Sequence, residues 1–388
     1  MSNPSSFIAS KMSFKGRLPL ICIALSFFII IVAVSISAGF RNEIREGISS
    51  ISGDLQILPQ SQNTLGEEMS IERYPAYLDS ISKHPAIEKI VPVVSRVGII
   101  KQAEHIHGVL FKAVPDGADS SGFVRIPRRL SQILKLSEGD KMTVYFIGAK
   151  TRARRLTVES IYDAILDSDD KLVVYMPLED MQRVNNWSSD RVSSMEIYLK
   201  NAYKSESQIQ TLKSDIGGMM YVYGSEEEVP VYCVASMDYY PQLFDWLNLI
   251  DFNVVFILLL MIIVAGFNMI SGLLILLFES ISLIGSLKAF GMTHAGIRKI
   301  FVKLSSRIVL KGLLIGNLSA IVLCLIQQYF HVIPLDPVNY FVSYVPVHLN
   351  FIPIVLTDVV AYAAILLLMQ IPCAFISRID PAQTMRME

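Results

Sequence analysis

The chain is short of charge. Of 388 residues, 18% are Asp, Glu, Lys or Arg, against 52% hydrophobic. Soluble domains carry about 25% charged residues, so the deficit excludes an ordinary water-soluble protein and points to membrane segments. Cysteine is scarce too. Cys22, Cys324 and Cys373 lie in apolar runs, and Cys233 stands alone in the large polar segment. A single thiol there makes no internal disulfide, and four scattered thiols make no metal framework. A working phosphate loop is missing as well. Gly291-Met-Thr-His-Ala-Gly296 has the glycine spacing, but Ile297-Arg298 stands where Lys-Ser/Thr is needed. No lysine reaches the phosphates and no hydroxyl holds magnesium. The chain is therefore expected to be non-catalytic, with no bound cofactor or metal, and any ATP it depends on is spent by another chain.

The net charge of −1 hides a partition. Between Arg41 and Asp251 lie 23 basic and 30 acidic residues; the remainder holds 11 basic and 5 acidic. An acidic polar segment on a basic apolar base lacks the basic face that nucleic-acid binding requires.

Four uncharged or nearly uncharged runs are present. Residues 1–17 form a short basic segment (Lys11, Lys15, Arg17) whose Phe7, Ile8 and Met12 suit an interfacial helix. Residues 18–40 are the first span, long enough to cross a hydrocarbon core. A cleaved signal peptide is the rival, with Ser35-Ile36-Ser37 as its cleavage site, but the apolar run exceeds the usual length of about 7–15 residues. Residues 246–278 are a stalk and second span with an aromatic approach (Tyr239, Tyr240, Phe244, Trp246). Residues 312–330 and 351–377 are the third and fourth spans.

Basic residues orient them. The segment 279–311 carries Lys288, Arg298, Lys299, Lys303, Arg307 and Lys311 against Glu279 alone, whereas the loop 331–350 has neither Lys nor Arg. Both termini, including the tail 378–388, and the 279–311 elbow are expected in the cytoplasm. Residues 41–245 and the loop 331–350 are expected outside.

Residues 41–245 alternate short β-type runs with helical ones. Strands are predicted at 54–59, 90–95, 96–100, 141–147, 155–158, 171–176 and 195–199. Helices are predicted at 77–83, 127–136, 177–184 and 205–216. The predicted fold is an α-helical membrane protein of four transmembrane helices, with an extracytoplasmic α+β domain inserted between helices 1 and 2.

Chemistry-bearing clusters are few. His105 and His107 sit one residue apart, which suits an exposed pair better than a metal site. Asp167-Ser-Asp169-Asp170 lacks the spaced ligands and glycine turn of a calcium loop. Lys150, Arg152, Arg154 and Arg155 are expected at a charged hairpin tip. Asp358 is an acid within an apolar run, a functional candidate by type; the outer interface is the alternative place for it, since 359–377 alone nearly spans, and with no chain of acids or histidines to relay to it is not read as a proton site. Gly312-Leu-Leu-Ile-Gly316 has the spacing that lets helices approach closely.

The elbow is the most specific feature. Ile281, Ile284 and Leu287 share one face of a short helix, and Gly285, Gly291 and Gly296 are expected to break it. A connector so long and partly apolar is expected to lie on the membrane or against another protein.

At these residues the chain resembles the FtsX-like permease superfamily of ABC transporters, and within it the lipoprotein-releasing permeases of the LolC/LolE type. Phe267-Asn-Met-Ile-Ser271, Glu279, Ile284 to Thr293 and Ile297 to Phe301 carry the likeness. So do Tyr344 to Asn350, Ile379 to Arg386, Phe7 to Lys11, Ile126 to Asp140 and Val174 to Met181. The resemblance implies a bacterial inner-membrane subunit paired with a second, identical or paralogous permease. A separate ATPase dimer, holding ATP and magnesium, would dock on the elbow at Glu279, Ile284, Leu287, Lys288, Phe290, Gly291 and Met292. Its stroke would extract lipoprotein cargo or hand it over, a periplasmic carrier being the candidate acceptor, instead of moving it through a channel. Two departures stand out. Ser280-Ile-Ser-Leu283 replaces the family's charged run after the Glu, and the hairpin region Gly148 to Arg154 is short where one paralogue captures the carrier. The alternatives are a permease of the same superfamily serving efflux or cell-wall hydrolase control, and a membrane-anchored receptor or structural protein with no ATPase.

Overall fold

A computed structural model describes residues 18–60, 69–102, 105–146, 151–164 and 172–375. The expected interfacial segment 1–17, the acid run 167–170, Lys150 and the tail 378–388 lie outside the described residues. The chain forms two compact units. One is Asn42–Asp245 with Pro334–Tyr344; the other is Met1–Arg41, Trp246–Ile333 and Val345–Glu388.

The elements begin with helix α1 (Leu18–Ser52), β1 (Leu55–Pro59), β2 (Ile71–Glu72), α2 (Leu78–Ser82), β3 (Ile87–Gln102), β4 (His105–Val114) and β5 (Phe123–Pro127). Next come α3 (Arg128–Leu134), β6 (Lys141–Phe146), β7 (Arg152–Tyr162), β8 (Val173–Pro177), α4 (Leu178–Asn185), β9 (Arg191–Val192) and β10 (Ser194–Leu199). They end with α5 (Glu206–Tyr223), β11 (Val231–Ala235), α6 (Ser236–Tyr239), α7 (Pro241–Glu279), α8 (Ile281–Ala289), α9 (His294–Phe330), α10 (Pro337–Tyr340), α11 (Phe351–Leu368) and α12 (Gln370–Phe375).

In the α+β unit the strand order is β11-β1-β10-β3-β4-β8-β5-β7-β6, and β6 pairs back onto β3. Strands β3, β4, β8, β5, β7 and β6 thus close on themselves, which removes their exposed edges. The long β3 serves both halves. Residues from Ile87 to Val93 pair with β10, and those from Val94 to Gln102 pair with β4. The sequence pattern suggests two strands, 90–95 and 96–100. The structure corrects this to one strand. Pro92 sits where β3 has β10 as its neighbour and β4 has not yet begun, so its missing N–H costs no ladder bond. Inside the closed strands Phe111 and Phe146 pack edge to face at 4.9 Å, and Gly98 lets the Phe111 ring approach the backbone. Strands β2, β4, β5, β9 and β11 lie outside the predicted strand set. β5 ends in a proline and β4 opens on two histidines, so their composition does not announce them.

A buried ion pair sits at the end of α1. Lys112 Nζ donates to Glu196 Oε2 at 2.6 Å, to Ile51 O at 2.9 Å and to Ser50 O at 3.2 Å. Both charged side chains are 2% exposed. Tyr198 and Gln56 also donate to the Glu196 carboxylate, and Tyr175 donates to Ser50 O. Burial pushes the Glu196 carboxyl above its ordinary range, against the pull of Lys112, and pushes the Tyr175 phenol up to about 12. Gly53, at φ +69°, takes the left-handed conformation that ends the helix. The basic hairpin residue Arg152 is also engaged, donating to Asn186 Oδ1 at 3.0 Å and to the Val184 carbonyl.

The other unit is helical. Among the described residues, four helical stretches are long and apolar enough to cross a membrane: Leu18–Ser52, Pro241–Glu279, His294–Phe330 and, across the break after Leu368, Phe351–Pro372. Their shared core includes Ile23, Phe27, Ile31, Met269, Leu273, Phe301 and Ile365. Gly312 and Gly316 face α1. A Cβ on Gly312 would lie 2.6 Å from Ile23 Cγ2, and one on Gly316 would meet Ala24 O and Phe27 Cβ. The close approach is therefore made within the chain. Arg41 pairs with Asp251 and donates to Asn248 Oδ1 at 3.2 Å, Ser37 donates to Asp251, and Phe40 packs edge to face on Trp246 at 5.8 Å. These contacts join α1 to α7.

The helix carrying the predicted third span starts at His294, not Gly312. Ile297, Ile300, Phe301, Leu304 and Ile308 form its buried stripe, opposite exposed Arg298, Lys299 and Lys303. Hydropathy passes over such an amphipathic turn, but the helix does not. The predicted fourth span, to Ser377, breaks after Leu368, because Pro372 has no N–H to continue the ladder.

A candidate docking elbow

The elbow forms where two long helices are joined through a short one. Helix α7 ends at Glu279, whose side chain is exposed, and the Ser280 N–H closes on the Leu276 and Leu277 carbonyls. After α8 the chain turns on a six-residue hydrogen-bonded cap. The Met292 N–H bonds Leu287 O at 3.0 Å, and the Gly291 N–H bonds Lys288 O at 2.9 Å. Gly291 has φ +83°, the left-handed value this cap requires. Thr293 then caps α9, its hydroxyl accepting from the Gly296 N–H at 3.2 Å. The two glycines that mimic a phosphate loop thus serve helix ends. Of the three glycines expected to break the segment, only Gly291 does so. Gly285 is buried inside α8, and Gly296 lies in the first turn of α9.

The structure separates the predicted docking residues. Ile284 is fully buried in one cluster with Ile297, Phe301 and Leu304. Its burial is therefore met within the chain, by α9, while Ile281 and Leu287 on the same face are half-buried. Leu287, Lys288 and Met292 are half-buried, and Met292 packs on the same cluster. Phe290, 89% exposed, and Leu283, 39% exposed, point away from it. Gly291, Thr293 and His294 are exposed beside them, as are Arg298 and Lys299. The outward face is therefore an aromatic tip at a rigid cap with cations one to two turns away. It suits an apolar pocket with an acidic rim. Helical spacing picks out Ile284 and not the exposed Leu283, because a stripe at that spacing reports a face without saying what covers it.

Residues 255–381, which include this elbow, match the family described as FtsX-like permease C-terminal. The whole chain is similar to the lipoprotein-releasing system transmembrane protein LolC of Xylella fastidiosa, at 23% identity over 97% of this chain and 94% of that one. It is likewise similar to LolE of Haemophilus influenzae, at 22% identity over 99% and 95%. Among solved structures, the periplasmic region of MacB from Actinobacillus actinomycetemcomitans aligns with 52% of this chain and 95% of its own, at 14% identity and a TM-score of 0.31.

Proposed function

We propose that this chain, an ABC transporter permease of the FtsX-like, LolC/LolE-like type, is the membrane subunit of a complex that extracts lipoproteins from the bacterial inner membrane and releases them toward the outer membrane. The similarity to LolC and LolE from end to end carries this reading. In it the α+β unit, inserted between the first and second spans, stands outside, and both termini and the elbow face the cytoplasm. A separate ATPase dimer supplies ATP and magnesium, and a second permease completes the complex. The ATPase pocket takes Phe290 and Leu283, while Lys288, Arg298 and Lys299 meet its acidic rim. Ile284 acts from beneath by fixing α8 on α9. The stroke travels along α7, whose 39 residues span about 58 Å at the helical rise.

Gentle detergent purification tests the docking. Phe290→Asp is expected to lower recovery of the ATPase by about tenfold or more, as loss of an exposed aromatic anchor does, with thermal stability unchanged. Undiminished recovery would remove this docking face. Failure of the wild-type chain to bring down any ATPase would remove the transporter reading itself. Depleting the chain and finding lipoproteins sorted normally would remove the cargo.

A further inference from the structure

Asp358 lies on α11, which runs from Phe351 to Leu368 with no other charged residue. Its partner Asn317 lies on α9, in the uncharged stretch from Gly312 to Phe330. Asp358 is 9% exposed. The Asn317 Nδ2 donates to Asp358 Oδ2 at 2.5 Å. The two remaining oxygens, Asp358 Oδ1 and Asn317 Oδ1, are both buried and have no hydrogen-bond partner. Among the described residues no lysine, arginine or histidine pairs with Asp358.

The ionisable groups of the neighbouring helices do not supply one. On α11, the Tyr362 hydroxyl is shared with Ser306. On α9, Arg307 and Lys311 lie on the basic side of the uncharged stretch, and Cys324 is a thiol. On α7 and α1, Asp251 and Arg41 are paired with each other, and Glu279 is exposed at the far end.

A carboxylate in this setting would be a buried anion with only one hydrogen bond, an arrangement whose desolvation is poorly compensated. An acid and an amide side by side have a better solution. If the carboxyl holds a proton on Oδ1, that O–H donates to Asn317 Oδ1 while the amide N–H donates to Oδ2. One proton then satisfies both orphaned oxygens and closes a two-bond ring. We infer that Asp358 is a proton-binding site in the membrane bundle, its proton shared with Asn317 so that the carboxyl is paired through both its oxygens. The same three oxygens would otherwise suit a monovalent cation, and the experiment separates the two.

The full-length chain, in nanodiscs with its complex, is examined by infrared difference spectroscopy against Asp358→Asn at pH 7.5. The expected result is loss of one protonated-carboxyl C=O band in the variant, with no change on adding sodium. Dicyclohexylcarbodiimide, which attacks protonated carboxyls in apolar surroundings, is expected to label Asp358 in the wild type. Loss of a carboxylate band instead would overturn the assignment whatever the reagent does. A carboxyl band that sodium converts to carboxylate would replace the proton site with a cation site.

Discussion

The two units bury polar groups in opposite ways. The α+β unit closes strands on themselves and keeps a full ion pair inside, with Lys112 and Glu196 surrounded by donors and carbonyls. The helical unit satisfies its backbone within each helix and brings α9 onto α1 at two glycines. Among its described residues, the deeply placed acid Asp358 faces an amide rather than a cation. The difference follows from the surroundings. A domain in water can dilute the cost of an internal charge with many hydrogen bonds, whereas a bundle in lipid does better to carry none.

The largest blow to this contrast falls on the ion pair. Lys112→Met leaves Glu196 buried without its cation and is expected to destabilise the α+β unit by about 3–5 kcal/mol, read by thermal unfolding of the full chain. Adding Glu196→Gln should recover much of the loss. The single variant should also regain stability on acidification. Burial already holds the Glu196 carboxyl above its ordinary value in the folded state, so without Lys112 the penalty is present above the folded pKa. It is relieved as pH falls toward the unfolded value of about 4.3.

Next in size is the helix contact. Gly316→Leu forces a side chain into Ala24 and Phe27 and is expected to cost about 1–3 kcal/mol, measured as earlier loss of the detergent-solubilised fold. Substitution of Gly108, whose added Cβ would meet nothing, serves as the neutral control. The smallest effect concerns Asp238. Burial raises its carboxyl, but the hydrogen bonds from Lys213, Gln210 and the Ala235 N–H outweigh this and leave it below the usual range. Its contribution is thus present above the unfolded value and lost as pH falls through the folded one. Half-exposed as the pair is, about 0.5 kcal/mol is expected, and Asp238→Asn should flatten that acid limb of a stability–pH profile.

Much of this was legible in the sequence. The long apolar runs announced helices, and Gly312-x-x-x-Gly316 announced a close approach. Hydropathy did not announce that α9 begins at His294, because an amphipathic turn averages to neither class. Strand closure was illegible since β3–β6 pairing joins residues that no local pattern relates. At the elbow, periodicity found the apolar face of α8, but not that α9, packed beneath it, buries Ile284. Phe290 was readable as a candidate because it follows the stripe just before the glycine that ends it.

The lysine at the end of α1 has a kinetic consequence. The last turn of a helix is ordinarily the first part to fray, since its carbonyls lack partners. Here the Ser50 and Ile51 carbonyls are held by Lys112, and the Asp54 N–H and Leu199 N–H tie the following residues to the sheet. The backbone amides of this final turn should therefore exchange with deuterium at the pace of strands β4 and β10, long after those of an ordinary helix end have gone.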